Sequence, residues 1–196
     1  MNQIAIKILY DNQKENPKMQ EGWGFSCLIE INNRKILFDT GADKSAFFAN
    51  LQYLGINLEN ITDIVFSHKH SDHVAGWQDI LSLMKKNVRL FLPKGFPTPP
   101  PSSSIEAHYV SDFIQLDAHV YSLVLKGGFR LYEQALILRS NRGLVVITGC
   151  AHPGIIPLLE TTKNRLDEPI HLVIGGFHLF RKSHKAVRKK SVCKKC

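Results

Sequence analysis

The stretch Ser67-His68-Lys69-His70-Ser71-Asp72-His73-Val74-Ala75-Gly76-Trp77 decides the reading of this chain. Four potential metal ligands, His68, His70, Asp72 and His73, fall within six residues. They follow an apolar, β-branched run (Ile64, Val65, Phe66) and precede a helical pattern. A strand that ends in a ligand-rich loop presents its side chains at a sheet edge. Neutral imidazole is the commonest metal ligand, and His with Asp suits zinc and similar divalent ions. The spacing is not that of two histidines on one helix face. On a tight loop, residues 68 and 70 can share one ion while 72 and 73 face a second roughly 3.5–4 Å away. Isolated histidines such as His108 and His119 carry no such expectation.

Working outward, Ile4, Ile6 and Ile8 alternate with Ala5 and Lys7, the period of a strand. Residues 11–22 are polar with a proline and read as a loop. Phe25 to Ile31 and Lys35 to Phe38 form a hairpin around Asn32-Asn33, because Asn tolerates positive φ. The second of these strands runs into Asp39-Thr40-Gly41. Asp43 caps a helix over 44–54, with Gly55 as its stop. Asp63 to Ser67 feeds the histidine loop. Gly76 to Lys86 then reads as a helix burying Trp77, Ile80, Leu81 and Met84. Val88 to Leu92 is the next strand, followed by a proline- and serine-rich loop over 93–104. Strands follow at 113–116, 120–125, 134–139 and 144–148, with turns at Lys126-Gly127-Gly128 and Asn141-Arg142-Gly143. Gly149-Cys150-Ala151-His152-Pro153-Gly154 makes a sharp loop before a helix over 155–163. A last strand, 171–174, ends in Gly175-Gly176-Phe177-His178.

Four strands therefore end in loops that carry Asp39, the 68–73 group, His152 and His178. Hairpins followed by helices in each half predict two sheets packed face to face, helices outside, and a site along one shared edge. The chain of 196 residues suits one sizeable domain, here residues 1–180. The net charge of +8 resides in the last sixteen residues, which hold eight Lys/Arg and no acid, while 1–180 carries 17 basic and 17 acidic residues. The basic tail, 181–196, reads as a solvated end, and nucleic acid is not the expected partner. No apolar run reaches membrane-spanning length. The N-terminus lacks a signal-peptide pattern, so the expected location is cytoplasmic. The four cysteines, at 27, 150, 193 and 196, are expected as thiols or ligands and not as disulfides. Cys193-Lys194-Lys195-Cys196 is a lone CxxC, and Cys150 reads as loop packing beside His152.

His68-x-His70-x-Asp72-His73, with Leu37-Phe38-Asp39-Thr40-Gly41 before it and His152 in a glycine loop after it, resembles the metallo-β-lactamase superfamily. Over residues 4–180 the chain is most similar to its dihydropterin/aminobenzene-ribofuranosyl-phosphate synthase-like subgroup. The shared stretches are ILFDTG (36–41), SHKHSDHVAGW (67–77), EQALIL (133–138), TGCAHPGI (148–155) and GGFHLF (175–180). The resemblance implies an α/β, four-layer αββα sandwich. It implies a first ion on His68, His70 and His152 and a second on Asp72 and His73. His178 stands where many relatives place a metal-bridging Asp, or Cys in others, and Asp39 looks like the carboxylate that orients a ligand imidazole. One or two divalent ions are expected per chain, zinc first, with iron or manganese as alternatives.

Relatives usually continue past this point and end with a further His in a glycine loop. Here the chain becomes RKSHKAVRKKSVCKKC, so the fold is expected to be C-terminally shortened. His184 is a candidate replacement ligand, and two readings of the shortened side stand equal: a second copy or partner chain that covers it, or a truncated or frame-altered terminus. The functional expectation is a metal-dependent hydrolase or transferase supplied with hydroxide at neutral pH, acting on a phosphate-containing or pterin-like small molecule, with Asp72 accepting a proton or orienting water. Lys44 and Lys69 are the candidate charges for such a substrate. The alternative is a non-catalytic or redox metal-binding module.

Overall fold

A computed structural model describes residues 4–14 and 16–178. Among the described residues, eleven strands form two sheets. The first takes β1 (Ile4–Tyr10), β2 (Ser26–Ile31), β3 (Arg34–Phe38), β4 (Asp63–Val65), β5 (Val88–Pro93) and β6 (Ile105–Val110), side by side in chain order. Its β1–β2 and β2–β3 pairs are antiparallel, and from β3 to β6 the neighbours run parallel. The second takes β7 (Phe113–Asp117), β8 (Val120–Gly128), β9 (Leu131–Ser140), β10 (Gly143–Thr148) and β11 (Ile170–Gly175), with only β10–β11 parallel.

Parallel neighbours need a crossover; helices supply three of them, and a loop over 94–104 joins β5 to β6. Helix α1 (Lys44–Tyr53) joins β3 to β4, α2 (Trp77–Ser82) joins β4 to β5, and α3 (Ile155–Leu166) joins β10 to β11. Asp43 caps α1 as its type predicts, its side chain accepting from Ala46 N–H at 2.9 Å. The sharp stop at Gly55 has φ 64°, the left-handed conformation that glycine adopts without strain.

Three apolar clusters separate four layers. Phe25, Ile29, Phe38, Val65, Leu136, Leu138 and Ile147 fill the space between the two sheets. Phe47 and Leu51 of α1 and Ile80 and Leu81 of α2 pack on the outer face of the first sheet against Leu28, Leu37, Ile64 and Leu90. Leu158 of α3 covers Tyr121, Ile137 and Val146 on the outer face of the second. This is the expected αββα sandwich, each fully buried Leu, Ile or Phe contributing about 1.5–3 kcal/mol.

Gln134 fastens the two sheets at the end that carries the site. From β9 its amide donates to the carbonyls of Phe66 (2.7 Å) and Phe91 (2.9 Å) in the first sheet, and its Oε1 accepts from Ser122 Oγ at 2.8 Å. At the opposite end, Arg34 on β3 reaches Asp117 on β7 at 2.6 Å.

The structure differs from the sequence expectations in local detail. β6 was not foreseen, since Ile105–Val110 is half exposed and lacks a clean alternation. Helix α2 spans Trp77–Ser82 in place of 76–86 because the chain unwinds at Leu83. The β8–β9 reversal falls at Phe129-Arg130, with Arg130 at φ 53°, and not at Lys126-Gly127-Gly128. Gly127 serves a different purpose: a Cβ there would lie 2.6 Å from the Cβ of His152. Among the described residues no helix is long and apolar enough to cross a membrane. The tail 181–196, with His184, Cys193 and Cys196, lies outside the described residues.

Candidate metal centre

Four strand ends converge as the sequence predicts: β3 delivers Asp39, β4 the histidine loop, β10 Cys150 and His152, and β11 His178. Backbone bonds hold the first two loops together, Thr40 N–H to His73 O at 2.9 Å and Ala75 N–H to Gly41 O at 3.1 Å. The other two are pressed together by glycine. A Cβ on Gly149 would stand 2.2 Å from Ser67 Oγ, and one on Gly176 would stand 2.6 Å from Gly149 O. Three of the non-glycine residues with positive φ sit here: Asp39 (55°), Ala151 (55°) and His178 (47°). Such backbone persists where surrounding contacts over-determine it, and it gathers at functional sites.

Asp39 organises the interior of the site. It is fully buried, as are Ser67 and His68, and His73 is 1% exposed. Its Oδ1 accepts from Ser67 N–H at 2.6 Å, and its Oδ2 accepts from Ser67 Oγ–H at 2.6 Å and from His73 Nδ1–H at 2.7 Å. Ser67 Oγ spends its proton on Asp39, so it accepts from His68 Nδ1–H at 2.9 Å. One carboxylate thereby fixes the tautomer of two imidazoles, His73 directly and His68 through Ser67. Both present an Nε2 towards the centre, as oriented metal-binding histidines do.

His68 Nε2 lies 3.3 Å from His152 Nε2, and ring nitrogens of His68, His70 and His152 all fall within 4.8 Å of one another. Burial, and then the neighbouring imidazoles, push the His68 pKa far down, so its ring is neutral at neutral pH. Burial also lowers His152, against the pull of Glu133. Three ring nitrogens converging on one point fit a divalent ion of the zinc type.

On the other side, His73 Nε2 lies 3.1 Å from Cys150 Sγ and 3.5 Å from Asp72 Oδ2. Burial alone would lower His73, but the charge and hydrogen bond of Asp39 prevail and hold it well above its ordinary value. An ion arriving at His73 Nε2 therefore displaces a proton. Two further donor groups, His68–His73–Cys150 and Cys150–His152–His178, again keep their atoms within 4.8 Å. The six expected positions, His68, His70, Asp72, His73, His152 and His178, thus meet in one place. Asp72 is the outlying member, close to His73 and outside the three convergent groups.

Sequence reasoning missed two residues. Cys150 was read as loop packing, yet it belongs to two donor groups. Glu133 lies buried in β9, and its carboxylate accepts from the N–H groups of Cys150 (2.8 Å), Ala151 (2.8 Å) and His152 (2.7 Å) and from Thr148 Oγ1 (3.1 Å). It pins the whole loop that carries two donors. Its signal was an acid inside an apolar strand, which survives burial only with partners.

A cavity of about 440 Å³ opens over the His73 side, lined among others by Asp11, Trp23, Asp72, Cys150, Phe177 and His178. That is within the size range of small-molecule sites. Lys69 borders a separate cleft with Lys94 and Arg130. Lys44 does not face the cavity; it pairs with Asp79 at 2.8 Å.

A family model described as the metallo-beta-lactamase superfamily matches residues 22–166. The chain is 25% identical to 7,8-dihydropterin-6-methyl-4-(beta-D-ribofuranosyl)-aminobenzene-5'-phosphate synthase of Methanocaldococcus jannaschii, over 88% of this chain and 79% of that protein. It is 29% identical to the uncharacterized protein MJ0448 of the same organism, over 89% and 79% of the two chains. Among solved structures it is similar to Tm1679, described as a metal-dependent hydrolase of the beta-lactamase superfamily, with TM-score 0.74, 26% identity, and coverage of 95% and 81%. Motif, layer order and family model agree, and the chain belongs to the metallo-β-lactamase superfamily.

Proposed function

We propose that this protein is a metal-dependent hydrolase or transferase whose substrate is a small molecule bearing a phosphate, of the size of a pterin phosphate. The observation that carries the reading is the convergence of the ring nitrogens of His68, His70 and His152 within 4.8 Å, beside a cavity of about 440 Å³. A divalent ion held there would lower the pKa of water towards 7 and polarise a substrate oxygen.

The chain's own residues supply the rest. His68, His70 and His152 would hold one ion, and His73 with Asp72 would hold a second, with His178 within 4.8 Å of the His152 and Cys150 donors. Asp39 and Ser67 keep the His68 and His73 rings in their binding tautomers. Asp72 Oδ2, half-buried at the cavity wall and 3.5 Å from His73 Nε2, is the carboxylate placed to take a proton from an attacking group. Lys69, adjacent to His70, lies with Lys94 and Arg130 in the separate basic cleft, a charge that favours the approach of an anionic substrate. The phosphate and pterin features rest on similarity to the M. jannaschii synthase.

The test is turnover of bis(p-nitrophenyl) phosphate and of pterin phosphates by protein loaded with zinc or manganese. H70A is expected to abolish it, and D72A to lower kcat by roughly 10²–10⁴-fold. Full turnover in either variant would overturn the assignment.

A further inference from the structure

We propose that Cys150 is a metal ligand: its thiolate completes the ion site on the His73 side and stands between the two halves of the centre. The inference rests on the metal-centre reading above and adds a sulfur donor to it.

Cys150 Sγ lies 3.1 Å from His73 Nε2. With metal–nitrogen and metal–sulfur bonds of about 2.0–2.3 Å, two ligands of one ion stand roughly 3–4 Å apart. Cys150 is the member shared by the His68–His73–Cys150 group and the Cys150–His152–His178 group. The sulfur is therefore within reach of donors on both sides of the centre. Residue 178 is histidine, and a neutral imidazole has a single lone pair in its plane; it cannot span two cations as a carboxylate does. A thiolate has the lone pairs to do so.

The placement is built and not incidental. Glu133 takes the N–H groups of Cys150, Ala151 and His152, which fixes the backbone from which the Cys150 side chain projects. Gly149 allows the loop to press on Ser67, and Gly176 allows the β11 loop to press on Gly149. Any side chain at either glycine would push the loop, and the sulfur with it, off the histidines. Cys150 is half-buried and lines the cavity with Asp72, His73 and His178, so an ion can reach it from solvent. A purely structural thiol would need none of these devices, and Cys27, fully buried on β2 among apolar side chains, shows what that looks like. On coordination the thiol gives up its proton to solvent and leaves both electrons of the S–H bond on sulfur.

Cobalt(II) reports the ligand directly, because a thiolate bound to cobalt gives an intense near-ultraviolet charge-transfer band that nitrogen and oxygen ligands do not. The experiment uses the full chain carrying C193S and C196S, so that the terminal CxxC contributes nothing. Loaded with cobalt, this protein is expected to show the band, and adding C150S is expected to abolish it while the weaker visible d–d bands of the His68 side remain. Alkylation provides a second readout on unaltered Cys150: iodoacetamide should label it in the metal-free protein and fail to label it in the zinc-loaded one. Cobalt bound without the charge-transfer band, or labelling equally fast with and without zinc, would overturn the sulfur ligand and leave the histidine centre standing. Failure to bind any cobalt or zinc would overturn both.

Discussion

Replacing Asp39 by Asn tests whether one buried carboxylate sets both halves of the centre. In the native protein it satisfies Ser67 N–H at 2.6 Å, Ser67 Oγ–H at 2.6 Å and His73 Nδ1–H at 2.7 Å. The amide keeps one acceptor oxygen and turns the other into a donor that faces two donors. A buried donor left unsatisfied costs about 1–3 kcal/mol, so D39N should lose roughly 2–4 kcal/mol of stability. Part of this is relieved if the His73 proton moves from Nδ1 to Nε2. In that tautomer the single remaining proton sits on Nε2, so the nitrogen an ion would take on the His73 side is blocked and the affinity there falls. The expected loss is about 10–100-fold, the usual cost of removing the partner that orients a ligand imidazole. Chemical denaturation of the metal-free protein reads the first quantity, and zinc titration in competition with a chromophoric chelator reads the second. If D39N matched the parent in zinc affinity and stayed within about 0.5 kcal/mol of it in stability, the carboxylate would be an ordinary turn residue and the tautomer argument would fail.

Ser67→Ala separates the two halves: the Asp39–His73 bond survives, so zinc affinity should fall by roughly 10-fold on the His68 side alone, read by the same titration. Glu133→Ala strands three backbone N–H groups of the 150–152 loop and should destabilise the chain by about 3 kcal/mol, measured by urea unfolding, with zinc recovering part of that loss. Asp117→Asn tests the far end of the sandwich. The Arg34 hydrogen bond holds the Asp117 carboxyl below its ordinary 3.8, so its contribution is present above that pH and fades as pH falls through the lowered value. Because Asp117 is 36% exposed, the expected cost of D117N is only about 0.5 kcal/mol at pH 7, vanishing once the pH falls below the lowered value. A difference that persisted in acid would mean that the residue acts through packing and not through charge.

What the sequence made legible and what it hid follow from range. The His68-x-His70-x-Asp72-His73 loop is local, so its chemistry could be read without a fold, and Asp39, His152 and His178 each mark a strand end by a glycine close by. Strand periodicity then placed all four at one edge. The partners across the sandwich left no local trace. Glu133 and Gln134 sit inside an apolar run, and only their burial shows that one pins the Cys150–His152 loop and the other clamps Phe66 and Phe91. Cys150 reads as loop packing because its neighbour in space, His73, lies 77 positions away in the chain. Gly127 illustrates the same limit: glycine suggested a turn, whereas the requirement is room for His152. The half-exposed edge strand β6 offered too little apolar contrast to declare its period.

The most direct test of the account is metal content per chain, by elemental analysis, on protein purified without added metal, beside the H70A and H152A variants. The account predicts a bound divalent ion in the parent and its loss or sharp depletion in both variants, since each removes one of the three nitrogens that converge within 4.8 Å. A parent protein that stays metal-free even after incubation with zinc or manganese, or variants that retain the parent's full complement, would contradict it.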